Sequence, residues 1–145
     1  MLATPHLKIL TAEPLARTWS QDLVTSLSDW PIEWHLTHTD RQALELASSA
    51  NMNLCVLDEA LPGAGGLELL RSFRRLGFRI PCVLVCDAAG PSLLKEALSL
   101  EVYSVVEAVR QHELLVPTVV RMVRNTFPSN GYANRRSAEA GEAFN

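Results

Sequence analysis

The chain has 145 residues, 48% hydrophobic and 20% charged, with a formal net charge of −3, which suits one domain with its own core and is short for two. So small a net charge gives no bias toward DNA, RNA or anionic lipid, so nucleic acid is not an expected partner. No window holds the ~20 apolar residues of a membrane span, and residues 1–8 lack a basic segment leading into a long apolar one; no membrane association and a cytoplasmic location are expected.

Residues 7–10 read as a first strand, ended by Thr11-Ala12-Glu13-Pro14. From Pro14 the apolar positions Leu15, Trp19, Leu23 and Leu27 recur at the spacing of one helix face, predicting a helix to about residue 29. Residues 32–38 alternate apolar and polar side chains, as an edge strand does. Asp40 offers an N-cap for a helix over 41–50 that packs through Ala43, Leu44 and Ala47. Residues 53–58 form a third strand, apolar over Leu54-Cys55-Val56-Leu57. The next helix carries Leu67, Leu70, Phe73 and Leu76 inward and is capped by Gly77. Residues 80–86 are a second fully apolar strand, with Pro81 at its entrance. A helix over 92–100 directs Leu93, Leu94, Ala97 and Leu98 inward, 102–106 is the last strand, and 111–127 is the last helix. Pro117 either kinks that helix or delays its start.

Strand and helix thus alternate as a (βα)5 unit, and such short connections allow only right-handed crossovers. The natural solution is an α/β, flavodoxin-like, doubly wound five-stranded parallel sheet of order 2-1-3-4-5. One domain is expected over residues 1–127. Residues 128–145 lack an apolar stripe and read as a flexible tail, or as a linker to a further domain. The three cysteines, Cys55, Cys82 and Cys86, fall in the apolar strands and read as core packing residues.

The sharpest local feature is Asp58, which ends a strand buried on both faces and precedes Glu59-Ala60-Leu61-Pro62-Gly63-Ala64-Gly65-Gly66. In open α/β sheets ligands bind beyond the carboxyl ends of the strands, where this carboxylate lies. The pattern Asp-x-x-Leu-Pro-Gly-x-x-Gly-Leu-x-Leu-Leu resembles the phosphoacceptor segment of receiver domains of two-component response regulators. The resemblance spans most of residues 7–126. It implies that Asp58 is the phosphoacceptor, beside an acidic pair that binds Mg²⁺, a Ser or Thr ending strand four, and a Lys ending strand five before a proline. In this chain the acidic pair falls on Thr11 and Ala12, with Glu13 one place later. The hydroxyl position falls on Cys86, the lysine on Glu107 and the proline on Ala108; an aromatic position in strand five falls on Ser104, beside Tyr103.

Placing a phosphoryl group on a carboxylate needs neighbouring positive charge. Exchanging a lysine for Glu107 swings the pocket by two charge units. Unit charges ~6 Å apart at an effective dielectric of ~20 interact by nearly 3 kcal/mol, so the exchange disfavours phosphorylation. Glu13, Asp58 and the carbonyl near Ala60 leave at most a weak Mg²⁺ site, and no cofactor is required. A crevice gathering Glu13, Asp58, Asp87 and Glu107 would raise a carboxylate pKa or recruit a cation.

His35 and His38 share an edge-strand face with no third ligand nearby. Trp30 and Trp34 read as closing the core. Arg71, Arg74, Arg75 and Arg79 form a basic stripe, either solvated or a docking surface for an acidic partner. The chain has no Gly-x-Gly-x-x-Gly, no phosphate-binding Gly-Lys-Ser loop and no Gly-x-Ser-x-Gly elbow, and it is not expected to be an enzyme.

The resemblance therefore implies an atypical response-regulator receiver, a pseudo-receiver in phosphorelay signal transduction, acting by phosphorylation-independent protein–protein contacts. Its partner is a histidine kinase, an output protein or a second copy. The expected surface is helix four, strand five and helix five, with Ser104, Val109 and Leu114, and it would support a homodimer. The alternatives are a phospho-accepting switch through Asp58, and a small flavodoxin-like metal- or ligand-binding protein or enzyme.

Overall fold

The computed structural model describes residues 6–126. The expectations for 128–145 lie outside them. Five parallel strands, β1 (Leu7–Ala12), β2 (Ile32–Thr37), β3 (Leu54–Asp58), β4 (Cys82–Cys86) and β5 (Ser104–Glu107), form one sheet of order β2-β1-β3-β4-β5. The helices are α1 (Trp19–Ser26), α2 (Asp40–Ser49), α3 (Gly66–Arg75), α4 (Pro91–Ser99) and α5 (Leu115–Thr126), the last preceded by a 3-10 turn. This is the flavodoxin-like architecture that the alternating pattern predicts.

Strand alternation divides the core into two layers. Ile9, Leu54, Val56, Val83, Val85 and Val106 face α1 and α5, where Leu23, Val119 and Met122 are buried. Leu10, Cys55, Leu57, Cys82 and Leu84 face α2, α3 and α4, where Ala43, Phe73 and Ala97 are buried. Every residue of β3 and β4 is buried, as strands covered on both faces must be. Trp30 and Trp34 pack, partly buried, against the α1/α5 layer.

Several local expectations change. Pro14 opens a turn, accepting a hydrogen bond from the Arg17 N–H at 3.0 Å, so α1 starts only at Trp19 and Leu15 stands 80% exposed. Thr39, rather than Asp40, caps α2 by accepting from the Gln42 N–H. Leu76, Leu94 and Leu98 are exposed because α3 stops short of Leu76 and α4 buries only Ala97 completely. The start of α5 is delayed, leaving Pro117 in the first turn, where its missing N–H costs nothing. Two arginines on α3 are structural ties: Arg71 pairs with Glu68 and Glu96, and Arg74 donates to the carbonyls of Leu100, Phe78 and Ile80, while Arg75 is exposed. Arg79, just beyond the helix, pairs with Glu101.

The cysteines depart most from expectation. Cys55 and Cys82 are register partners on β3 and β4 with Cα atoms 4.7 Å apart, and they are joined as a disulfide, whereas Cys86 is a buried free thiol. All three are packed in the core, as expected, but two of them are also cross-linked. Among the described residues, no helix is long and apolar enough to cross a membrane.

Candidate functional site: the rim of the sheet

β3 delivers Asp58 to the carboxyl edge through backbone geometry. The turn after it doubles back, with the Leu61 N–H donating to the Asp58 carbonyl at 3.1 Å and the Glu59 carboxylate capping the start of α3 at the Leu67 N–H, 2.8 Å away. Gly65 adopts φ +89°, open to glycine at little cost, and a Cβ on Gly66 would lie 2.7 Å from the Asp58 carbonyl oxygen. The glycines are required by the chain's own path, whatever the carboxylate does.

Thr11 and Ala12, read as the acidic pair, do not reach the rim. Both are fully buried inside β1, and Ala12 pairs with Leu57, so the residues next outward on the two strands are Glu13 and Asp58. Alternation puts Glu13 and Asp58 on the α1/α5 side with Ile9 and Val56. The Thr11 hydroxyl is buried without a hydrogen-bond partner.

Asp58 is completely buried and fully engaged. One carboxylate oxygen accepts the Trp19 indole N–H at 2.8 Å and faces the Arg17 Nε at 3.4 Å; the other accepts the Ala60 N–H at 2.9 Å. A second guanidinium nitrogen of Arg17 pairs with Asp87, just beyond β4. Hydrogen bonding to Asp87, together with the charge of Asp58, raises the Arg17 pKa above its ordinary value against the opposing effect of burial. The sequence-based expectation that the acceptor faces no cation is therefore corrected: the connection between β1 and α1 supplies one.

The other acids are engaged separately rather than gathered in one open crevice. Glu13 accepts from the Ser20 N–H at 3.2 Å and from the Ser20 hydroxyl, while its own carbonyl lies 3.1 Å from His38 Nδ1. Burial raises the Glu13 pKa against the lowering effect of those Ser20 bonds. Glu107 turns to the connection between β4 and α4, accepting the Ala89 N–H at 2.8 Å, and Arg110 lies 3.5 Å from its other oxygen. Burial, reinforced by the charges of Glu107 and Glu59, pushes the Cys86 thiol up to about 11, so it is neither a hydroxyl donor nor a ready thiolate. The Ala108 N–H donates to the Cys86 carbonyl at 2.8 Å, a bond a proline in its place would lack. His35 pairs with Glu33 at 2.6 Å instead of joining His38.

A Mg²⁺ ion, which the receiver fold implies, does not fit this donor set. Glu13 is turned to Ser20, N–H donors cover both Asp58 oxygens, and a guanidinium lies between Asp58 and Asp87. Among the described residues no group of three or more His, Cys, Asp or Glu side chains is placed to hold a metal ion. On the expected contact surface, Ser104 is half-buried at the start of β5, and Val109 and Leu114 are 79% and 44% exposed. Sequence reading missed Arg17 as a site residue and assigned Trp19 only to the core. The available signal was topological: any side chain in the connection between β1 and α1 is carried to the edge where β3 ends.

No family model and no curated protein sequence matches the chain. Solved structures do. A CheY-like response regulator receiver domain from Methanospirillum hungatei superposes with TM-score 0.74 at 16% identity, covering 87% of this chain and 100% of that one. The signal receiver domain of an HD domain-containing protein from Pseudomonas fluorescens gives 0.73 at 20% identity, covering 86% and 100%. A LuxR-family DNA-binding response regulator from Staphylococcus aureus gives 0.68 at 26% identity, covering 79% and 97%. The chain thus has the fold of response-regulator receiver domains.

Proposed function

We propose that this is a receiver module of two-component signalling that works through protein contacts without phosphorylation of Asp58. The observation carrying this reading is the complete burial of that carboxylate beneath Trp19, Arg17 and the Ala60 N–H. Attack on a phosphoryl group needs a free oxygen lone pair and room for a dianion opposite it. Here the carboxylate has no exposed surface beside which such a group could stand, and the usual ammonium position is the carboxylate of Glu107. The partner would be a kinase, an output protein or a second copy of the chain, with the exposed Val109 and Leu114 available for contact.

The phospho-accepting alternative draws on the same Arg17, a cation beside the acceptor that could balance a transferred charge. Incubation with acetyl phosphate, or with beryllofluoride, in Mg²⁺ separates the two for wild type and Asp58→Asn. No adduct by intact mass or fluorine NMR is expected for either protein. A saturable adduct on wild type that Asp58→Asn abolishes would establish the switch instead.

A further inference from the structure

At the carboxyl edge of the sheet the end of β3 meets the segment that leads into α4. Two contacts pin residues 87–90, the segment leading into α4. Arg17 holds Asp87 while also facing Asp58, and Glu107 holds the Ala89 N–H. The first contact joins three parts of the chain at once: the connection after β1, the end of β3 and the connection after β4. Arg17 can do this because it leaves the turn opened by Pro14, and its side chain is only 21% exposed. Guanidinium geometry matters, since planar N–H groups facing different directions can serve two carboxylates, whereas a lysine ammonium is a point charge on a flexible stem.

We propose that Arg17 is a tethered cation that clasps Asp58 to Asp87, so that the entry to α4 is held in one permanent arrangement by a side chain rather than by an exchangeable ion. The clasp is a positioning device. It explains why the acids at this edge persist without an assembled metal site: Asp58 and Asp87 are the two ends of the clasp, and Glu13 is held apart by Ser20. It rests on the reading above to the extent that an unmodified Asp58 is the partner of Arg17.

The experiment compares wild type, Arg17→Ala, Arg17→Lys and the control Arg41→Ala, whose exposed guanidinium pairs with Glu45 on α2. Arg17 lies in a turn, so its removal should leave a cooperative melt, checked by circular dichroism. Amide hydrogen exchange is measured without metal or phosphodonor, and Mg²⁺ alone is then titrated by calorimetry. In Arg17→Ala the amides of 87–90 should exchange roughly threefold or more faster than in wild type, with Arg17→Lys between them and Arg41→Ala unchanged. Arg17→Ala should also bind Mg²⁺ about tenfold or more tighter than wild type, since a neighbouring positive charge has gone. Unchanged exchange in that segment, or equal Mg²⁺ affinity in the two proteins, overturns the proposal. Because the exchange comparison contains neither metal nor fluoride, its failure is distinct from a beryllofluoride adduct, which would overturn the reading of Asp58.

Discussion

The ends of β3 and β5 lie on the same edge of one sheet, yet they match the receiver pattern to different degrees. At β3 the carboxylate, the turn and the glycines all match the receiver pattern; at β5 the lysine position holds Glu107 and the proline position holds Ala108. The structure shows why the two could part company. The exit from β3 is constrained by the backbone, with Gly66 so close to the Asp58 carbonyl that no side chain fits. The exit from β5 carries no such restriction, and its replacement residues make hydrogen bonds of their own, Glu107 to the Ala89 N–H and Ala108 to the Cys86 carbonyl. A sequence motif can therefore be required by the path of the backbone, whatever chemistry the carboxylate within it performs.

The comparison breaks first at Gly66. Gly66→Ala should cost about 3 kcal/mol in urea unfolding, because its Cβ meets backbone that cannot give way. A loss under about 1 kcal/mol would mean that the β3 exit is not backbone-constrained. A smaller effect is expected at the other end. Glu107→Lys removes the acceptor of the Ala89 N–H and should cost about 1 kcal/mol, without making Asp58 reactive, since Trp19 and Arg17 still cover it. A beryllofluoride adduct appearing in that variant alone would show that the charge at β5, rather than burial at β3, controls the acceptor.

The smallest effect is a dependence on pH at Glu13, whose pKa is raised in the folded state chiefly by burial. The native protein thus holds that proton more tightly than the unfolded chain does. Its contribution to stability is full below the unfolded value and is lost as pH rises through the folded one. Glu13→Gln does not ionise and retains an acceptor for the Ser20 N–H. The variant should therefore gain on wild type as pH rises above about 4, measured as the difference in urea midpoints. A difference that is flat or reversed over that range would show that the Ser20 bonds outweigh burial.

Strand order and the two-layer core were legible because periodicity reports which faces are covered, and β3 and β4 are apolar at nearly every position. Helix faces were less legible at their ends: Leu15, Leu76 and Leu98 continue an apolar spacing past the point where the helix touches the sheet. The Cys55–Cys82 pairing depended on strand register, which no single strand reveals. Within the site, Asp58 was legible from its own surroundings. Arg17 was not, because its role depends on where a turn of several residues aims a long side chain, and nothing local records that direction. The acidic positions were misplaced for a related reason: a strand's last residue is set by pairing with its neighbour, and pairing put Glu13, not Ala12, beside Asp58.

The indole of Trp19 donates directly to the buried oxygen of Asp58. Its emission spectrum should therefore be a label-free optical gauge of that carboxylate, shifting whenever the aspartate is neutralised, replaced or pulled away. Trp30, beyond the C-terminal end of α1, and Trp34, on the edge strand, supply a background that such events leave steady.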